Sequence, residues 1–242
     1  MNYYITGAGG FIGKHLVKYL RDKGDDVTMI DHGEPGVSVK PGEKTFIHLA
    51  AYGNHYAQTD ANETVKANIL YLRNLIKICQ LSDFNKFYNF STSSVTLKHQ
   101  TLYSATKLVG EKIIESLNDP RFINVRPYSV YGHGEADHRF IPTVIRCLKS
   151  GEQMPLDEDA VHDWVHVEDL IEAMFSGHTE IGSGEQISNG GIVNILQDIS
   201  GKLLNFEPQN MRRYDTTDWK CPVGVPHRSL YDGLKQTWEA LL

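Results

Sequence analysis

At 242 residues, with 40% apolar and 22% charged side chains, the chain can bury the core of an ordinary soluble globule. A formal net charge of -6 gives no general attraction to nucleic acid or to an anionic membrane, so any phosphate recognition has to be local. No apolar run approaches the roughly 18 residues of a membrane span.

Met1 to Ile5 lead straight into a glycine cluster, so no signal peptide is expected. Cys79, Cys147 and Cys221 stand far apart and lack a Cys-x-x-Cys spacing, so reduced thiols in a cytoplasmic protein are expected, and no metal site. Strand-like and helix-like segments alternate through the first half, which predicts an α/β fold with a parallel sheet under covering helices. Tyr3-Tyr4-Ile5 is the first strand, Gly10 to Lys23 the first helix and Val27 to Ile30 the second strand. Asp31 to Lys44 holds two prolines and three glycines, too little for a helix plus a strand, with Val37-Ser38-Val39 as an abbreviated strand.

Thr45 to His48 is the next strand. Asn62 to Cys79 predicts a helix, with Val65, Ile69, Leu72, Ile76 and Cys79 at regular spacing; Leu70, Leu75 and Ile78 widen the stripe to more than one face. Lys86 to Phe90 is a strand, Leu102 to Leu117 a helix and Phe122 to Val125 a strand. After about Tyr131 the alternation loosens and a smaller lobe is expected, closed by an amphipathic helix from the N-cap Ser229 to Leu242. Met154 and Trp164 read as core.

Gly7, Gly10 and Gly13 follow the first strand, with Phe11 and Ile12 at the start of the helix. That order permits a tight turn, close approach of backbone to a pyrophosphate, and close helix-to-strand packing. The helix start then offers unpaired N–H groups and a positive dipole end to the phosphates. Asp31 ends the second strand, where a carboxylate can accept from adenosine ribose hydroxyls and would repel a 2′-phosphate; this favours NAD over NADP, and the bland alternative is a turn-capping aspartate.

Tyr103 and Lys107 project from one helix face. With Thr92 they make a hydroxyl, phenol and ammonium set suited to moving a proton beside a hydride carrier. A Tyr-x-x-x-Lys spacing also arises where a tyrosine packs and a lysine is solvated; the preceding strand and the glycine turn argue for the chemical reading. A phenol of pKa near 10 needs a fall of roughly three units, or about 4 kcal/mol, to work near neutrality. An ammonium about 5 Å away supplies on the order of 3 kcal/mol at an effective dielectric of 20.

Taken together, Gly7-x-x-Gly10-x-x-Gly13, His48-Leu49-Ala50-Ala51, Asn68, Ser91-Thr92, Tyr103-x-x-x-Lys107, Arg126-Pro127-Tyr128-Ser129-Val130-Tyr131-Gly132 and Asp163 to Leu170 resemble the extended short-chain dehydrogenase/reductase family, in its NAD-dependent epimerase/dehydratase branch. The resemblance implies a Rossmann-like, doubly wound parallel sheet holding NAD, with a small C-terminal lobe that recognises a substrate, usually a nucleotide-linked sugar. It divides the chain into a dinucleotide domain over 1–130, with a returning segment near 163–190, and a lobe over 131–162 and 191–242.

By position, the resemblance makes Thr92 the family hydroxyl, Tyr103 the acid/base and Lys107 its activator. Leu49, Ala50, Ala51 and Tyr128 would lie along the nicotinamide nucleotide, and Ser93, Ser129, His162 and Arg212 would meet the substrate. Ser93-Ser94 stand where the 4,6-dehydratases carry an Asp-Glu pair, which points away from elimination of water. Ser129 replaces a common asparagine and His162 a phosphate-binding arginine. Arg212 and Arg213 are the candidate compensating cations; a solvated pair is the bland alternative.

An epimerase or oxidoreductase acting on a sugar follows from the resemblance. A 4-ketosugar reductase that consumes NADH, or a non-catalytic NAD-binding regulator, would keep the same scaffold. Members of the family pair the helices corresponding to 62–79 and 102–117 across a two-fold axis, so a homodimer built on a four-helix bundle is expected.

Overall fold

A computed structural model describes residues 1–30, 42–55, 57–212 and 215–241. Asp31, the short strand Val37-Ser38-Val39 and Arg213 lie outside the described residues. Two compact units divide the chain, Met1–Arg126 and Pro127–Leu242.

In the first unit, β1 (Asn2–Thr6) runs through α1 (Phe11–Asp22) to β2 (Asp26–Ile30), and β3 (Lys44–His48) follows. A long helical stretch comes next, made of α2 (Ala61–Val65), a π turn (Lys66–Leu70) and α3 (Tyr71–Leu81). β4 (Lys86–Phe90), a 3-10 turn (Ser93–Thr96), α4 (Leu102–Ser116) and β5 (Phe122–Pro127) complete it. The strands lie in the order β2-β1-β3-β4-β5 and every pair is parallel.

β1 reads Tyr3-Tyr4-Ile5 with all three side chains buried, as a strand covered on both faces should. Tyr4 stacks on Phe46, and with Leu72, Leu75, Ile76, Cys79, Phe87, Ile114 and Phe122 forms the core on one face. Strand order reverses at β1. The chain leaves β1 toward β2 on one side and returns as β3 on the other, opening a crevice at the carboxyl ends of β1 and β3.

The helix over 61–81 departs from the periodic expectation. Buried positions there are Thr64, Asn68, Leu72, Leu75, Ile76 and Cys79, whereas Val65 and Leu70 are exposed. The π turn carries an extra residue and rotates the face that follows it. The apolar stripe is therefore correct for α3 and wrong before it, where two polar side chains point inward.

The second unit holds β6 (Ser129–Tyr131), α5 (Phe140–Ser150), β7 (Met154–Leu156), β8 (Val161–His166) and α6 (Val167–Phe175). β9 (Glu180–Ile181), β10 (Gln186–Ser188), α7 (Asn189–Ser200), β11 (Phe206–Pro208) and α8 (Leu230–Ala240) follow. Ser229 caps α8 by accepting from the Asp232 N–H at 3.1 Å, the start expected from the sequence. A mixed sheet β10-β8-β6 and a parallel pair β11-β7 are covered by α5, α7 and α8 around Val144, Ile145, Met154, Trp164, Leu196 and Leu234.

Asp163 is a structural hub of this unit. Its buried carboxylate accepts from the Ser183 N–H at 2.6 Å, the Ser183 hydroxyl at 2.8 Å, the Gly184 N–H at 2.9 Å and the Cys221 N–H at 2.8 Å. Two loops are thereby tied to one strand. All three cysteines are buried and free.

Candidate active site

The glycine turn sits at the crevice between β1 and β3. Gly7 has φ +69, and a Cβ there would lie 2.7 Å from the Ala50 nitrogen and 2.9 Å from the Leu49 carbonyl carbon. A Cβ at Gly13 would lie 2.3 Å from the Gly7 oxygen and 2.7 Å from the Ala8 Cα. Gly10 donates to the Gly7 carbonyl at 3.0 Å and caps α1 with no side-chain acceptor. Gly7 is thus required by the left-handed backbone and the contact with the loop after β3, and Gly13 by helix-to-turn packing.

Phe11 and Ile12 open α1 beside this turn, and its N–H groups are the kind that receive a phosphate. The residues fit a pyrophosphate-bearing cofactor on these grounds: a tight turn in which Gly7 and Gly13 have no room for a Cβ, at a helix N-terminus without a competing side-chain cap.

Leu49, Ala50 and Ala51 leave β3 against the turn. The Leu49 N–H donates to the Thr6 carbonyl at 3.2 Å and the Ala50 N–H to the Thr6 hydroxyl at 3.3 Å, while the same hydroxyl meets His48 Nδ1 at 2.7 Å. The loop continues to Gly53, where an added Cβ would come within 3.5 Å of the Tyr103 Cβ. One unbroken path of chain therefore leads from the glycine turn to Tyr103.

Asn68 fixes that path. Its Oδ1 accepts from the Tyr52 N–H at 2.9 Å, and its Nδ2 donates to the Tyr52 carbonyl and to the Thr106 hydroxyl, both at 2.9 Å. One side chain thus clamps the loop after β3 to α4 at the residue before Lys107. The inward turn of Asn68 is what the π segment achieves.

Tyr103 is half-buried and Lys107 is buried, one turn apart on α4. Burial depresses the Lys107 ammonium to about 8, and the Glu111 carboxylate opposes that fall. Thr92 caps the turn over Ser93–Thr96, accepting from the Ser94 N–H and donating to the Ser94 hydroxyl, each at 3.2 Å. Ser93 is buried with its hydroxyl unpaired, and its carbonyl accepts from the Thr96 hydroxyl at 2.8 Å.

In the second unit, Ser129 Oγ and His162 Nδ1 meet at 3.2 Å. Burial pushes His162 down to about 4, opposed by the Asp215 carboxylate and reinforced by the Arg212 guanidinium, so the imidazole is neutral at physiological pH. Its ring lies 5.2 Å from Trp164 and 5.7 Å from Trp219, and Trp219 also packs at 5.7 Å from Tyr128. Arg212 is exposed and forms a forked pair with Asp215 at 2.9 Å through both Nε and Nη2. Its charge is already engaged. Trp219 was not singled out by sequence; its only signal is a lone tryptophan after a charged loop.

Glu111 was also missed. It is completely buried and receives the Arg126 fork, Nε to Oε1 at 2.7 Å and Nη2 to Oε2 at 2.6 Å. The signal was present: Tyr103, Lys107 and Glu111 recur every four residues along one face of α4.

A parallel α/β sheet with a glycine turn at the strand-order reversal, and a tyrosine and lysine on a neighbouring helix, defines a dinucleotide-dependent enzyme class. The profile of the NAD dependent epimerase/dehydratase family matches residues 3–46 and 37–195, and the chain belongs to that family. It is 25% identical to a dTDP-glucose 4,6-dehydratase of Streptomyces griseus over 96% of this chain and 92% of the relative. It is 27% identical to the uncharacterized UDP-glucose epimerase YtcB of Bacillus subtilis over 97% of this chain and 96% of the relative. Among solved structures, MoeE5 in complex with UDP-glucose and NAD superposes with a TM-score of 0.85 at 23% identity, covering 100% of this chain and 98% of that one. The UDP-glucose 4-epimerase of Thermus thermophilus in complex with NAD gives 0.81 at 20% identity, covering 99% of this chain and 98% of that one. The chain is an enzyme of the extended short-chain dehydrogenase/reductase type, and NAD is its family's cofactor.

Proposed function

We propose that the protein is an NAD-dependent epimerase or oxidoreductase acting on a nucleotide-linked sugar, with Tyr103 as acid/base, Lys107 as its activator and Thr92 as the hydroxyl that holds the reacting oxygen. The observation that carries this reading is the buried Lys107 one turn from Tyr103, on the helix that Asn68 ties to the loop beside the glycine turn. Gly7, Gly10, Gly13, Phe11, Ile12, Leu49, Ala50 and Ala51 would hold NAD, which when bound supplies the acceptor and donor of a hydride.

Tyr103 then takes the proton of a substrate hydroxyl and returns one later. Lys107, an ammonium below about pH 8, lowers the phenol's own pKa by Coulombic attraction. Thr92 turns its proton from Ser94 to the substrate oxygen, keeping its lone pair on the Ser94 N–H. No carboxylate stands at Ser93 or Ser94, which argues for hydride transfer without loss of water.

Tyr128, Ser129, His162 and Arg212 are the proposed contacts to nicotinamide and substrate. Val65 just before the π turn, Leu70 at its end and Val109 on α4 are exposed apolar side chains on the helices expected to pair in a homodimer. Incubation with a panel of UDP- and dTDP-sugars tests the reaction. Interconversion of epimers without net NADH formation is the expected result. Stoichiometric NADH consumption with ketosugars would make it a reductase, and bound NAD without turnover of any sugar would make it a regulator.

A further inference from the structure

We propose that Glu111, gripped by Arg126, is the fixed counter-charge that keeps Lys107 in its ammonium form, and is thereby a positioning residue for the reaction. The inference rests on the roles proposed for Tyr103 and Lys107. Glu111 lies one turn beyond Lys107 on α4, and both side chains are buried, at 0% and 4% exposure. Arg126 on β5 fixes both carboxylate oxygens with its fork, so the anion cannot swing out to solvent.

A purely structural pair would explain an anchor between α4 and β5. It would not explain why the anchor's buried anion stands one turn from a second buried cation on the same face of α4, where it favours that cation's charged form. Lys107, Glu111 and Arg126 make a group of two cations and one anion. If the anion is removed, the Lys107 ammonium loses the charge that favours it, and arginine does not release its proton in proteins. The loss therefore falls on Lys107, already brought down to about 8 by burial.

The other elements packed on α4 bring little competing charge. The π turn contributes the uncharged Asn68, while Glu63 and Lys66 are exposed and pair with each other at 3.2 Å. The 3-10 turn over Ser93–Thr96 contributes only hydroxyls and a valine. On α4 itself, Tyr103 precedes Lys107 by one turn, while Glu115, one turn beyond Glu111, is exposed and paired with Lys112 at 2.7 Å.

The test is Glu111→Gln, with Glu111→Asp as the conservative partner. Should the unpaired Arg126 prevent folding of Glu111→Gln, the double variant Glu111→Gln/Arg126→Gln replaces the ion pair with two amides. The first readout needs no turnover: an NMR pH titration of the lysine Cε signals, with Lys107 identified by its loss in Lys107→Met. The Lys107 midpoint is expected to fall by about one pH unit or more in Glu111→Gln, to fall by less in the double variant, where a cation leaves with the anion, and to return toward the parent value in Glu111→Asp. The second readout is the pH profile of kcat, whose alkaline limb should move down by the same interval. A structural role would lower the amplitude and leave both the limb and the midpoint in place. An unchanged midpoint in a folded variant overturns the proposal. A displaced midpoint in a protein that turns over no sugar upholds the counter-charge and removes the catalytic reading instead.

Discussion

Replacing Gly13 with alanine isolates the packing that the glycine turn demands. The new methyl would stand 2.3 Å from the Gly7 oxygen and 2.7 Å from the Ala8 Cα, both backbone atoms that cannot rotate away. Relief requires α1 to retreat from the turn by about 1 Å, and overpacking of this kind costs roughly 1–3 kcal/mol. Alanine recovers at most about 1 kcal/mol of helix propensity. For a chain of this size each kcal/mol lowers the melting temperature by about 2–4 °C. A fall of up to roughly 12 °C is expected, with weakened NAD affinity because the helix start moves. Gly9→Ala is the control, since a Cβ there meets nothing within 4 Å and the backbone is not left-handed. Thermal unfolding followed by circular dichroism, with calorimetric NAD titration, measures both. A Gly13→Ala protein as stable and as tightly binding as the Gly9→Ala control would refute the packing argument.

Asp163→Ala removes four accepted hydrogen bonds at once and leaves three backbone N–H groups of two loops without their acceptor. A loss of more than about 4 kcal/mol, or insoluble expression, is expected, whereas Asp163→Asn should retain part of the network; urea unfolding decides. His162, held neutral with a pKa near 4 against 6.5 unfolded, makes stability depend on acid. The unfolded chain gains the proton first as pH falls, so stability is full above about 6.5 and is lost progressively toward 4. Roughly 2 kcal/mol should disappear between pH 7.5 and 5, and His162→Gln should flatten that part of the unfolding free-energy profile.

The strands of the first unit were legible because each carries its own signal: buried Tyr3-Tyr4-Ile5 before glycines, and Lys86 to Phe90 before a hydroxyl run. The cradle was legible too, since glycine is the residue that tolerates φ +69 against a neighbouring backbone at Gly7. The π turn was not. Periodicity assumes a constant 3.6 residues per turn, and the gain from turning Asn68 inward is a tertiary contact with Tyr52 and Thr106 that no local pattern records. The second unit resisted for a related reason. β6, β7 and β10 are three residues long, too short for alternation to emerge, and they are held by long-range contacts such as the Asp163 hub. Asp163 was visible only as part of a motif, with its structural duty hidden.

Tyr103→Phe keeps the ring and deletes one oxygen, so it separates proton transfer from binding and from folding. With an accepted sugar nucleotide as substrate, kcat should fall by about a thousandfold or more while the NAD dissociation constant stays within a few-fold of the parent value. Turnover retained above a tenth of the parent rate would show that the phenol moves no proton in the reaction.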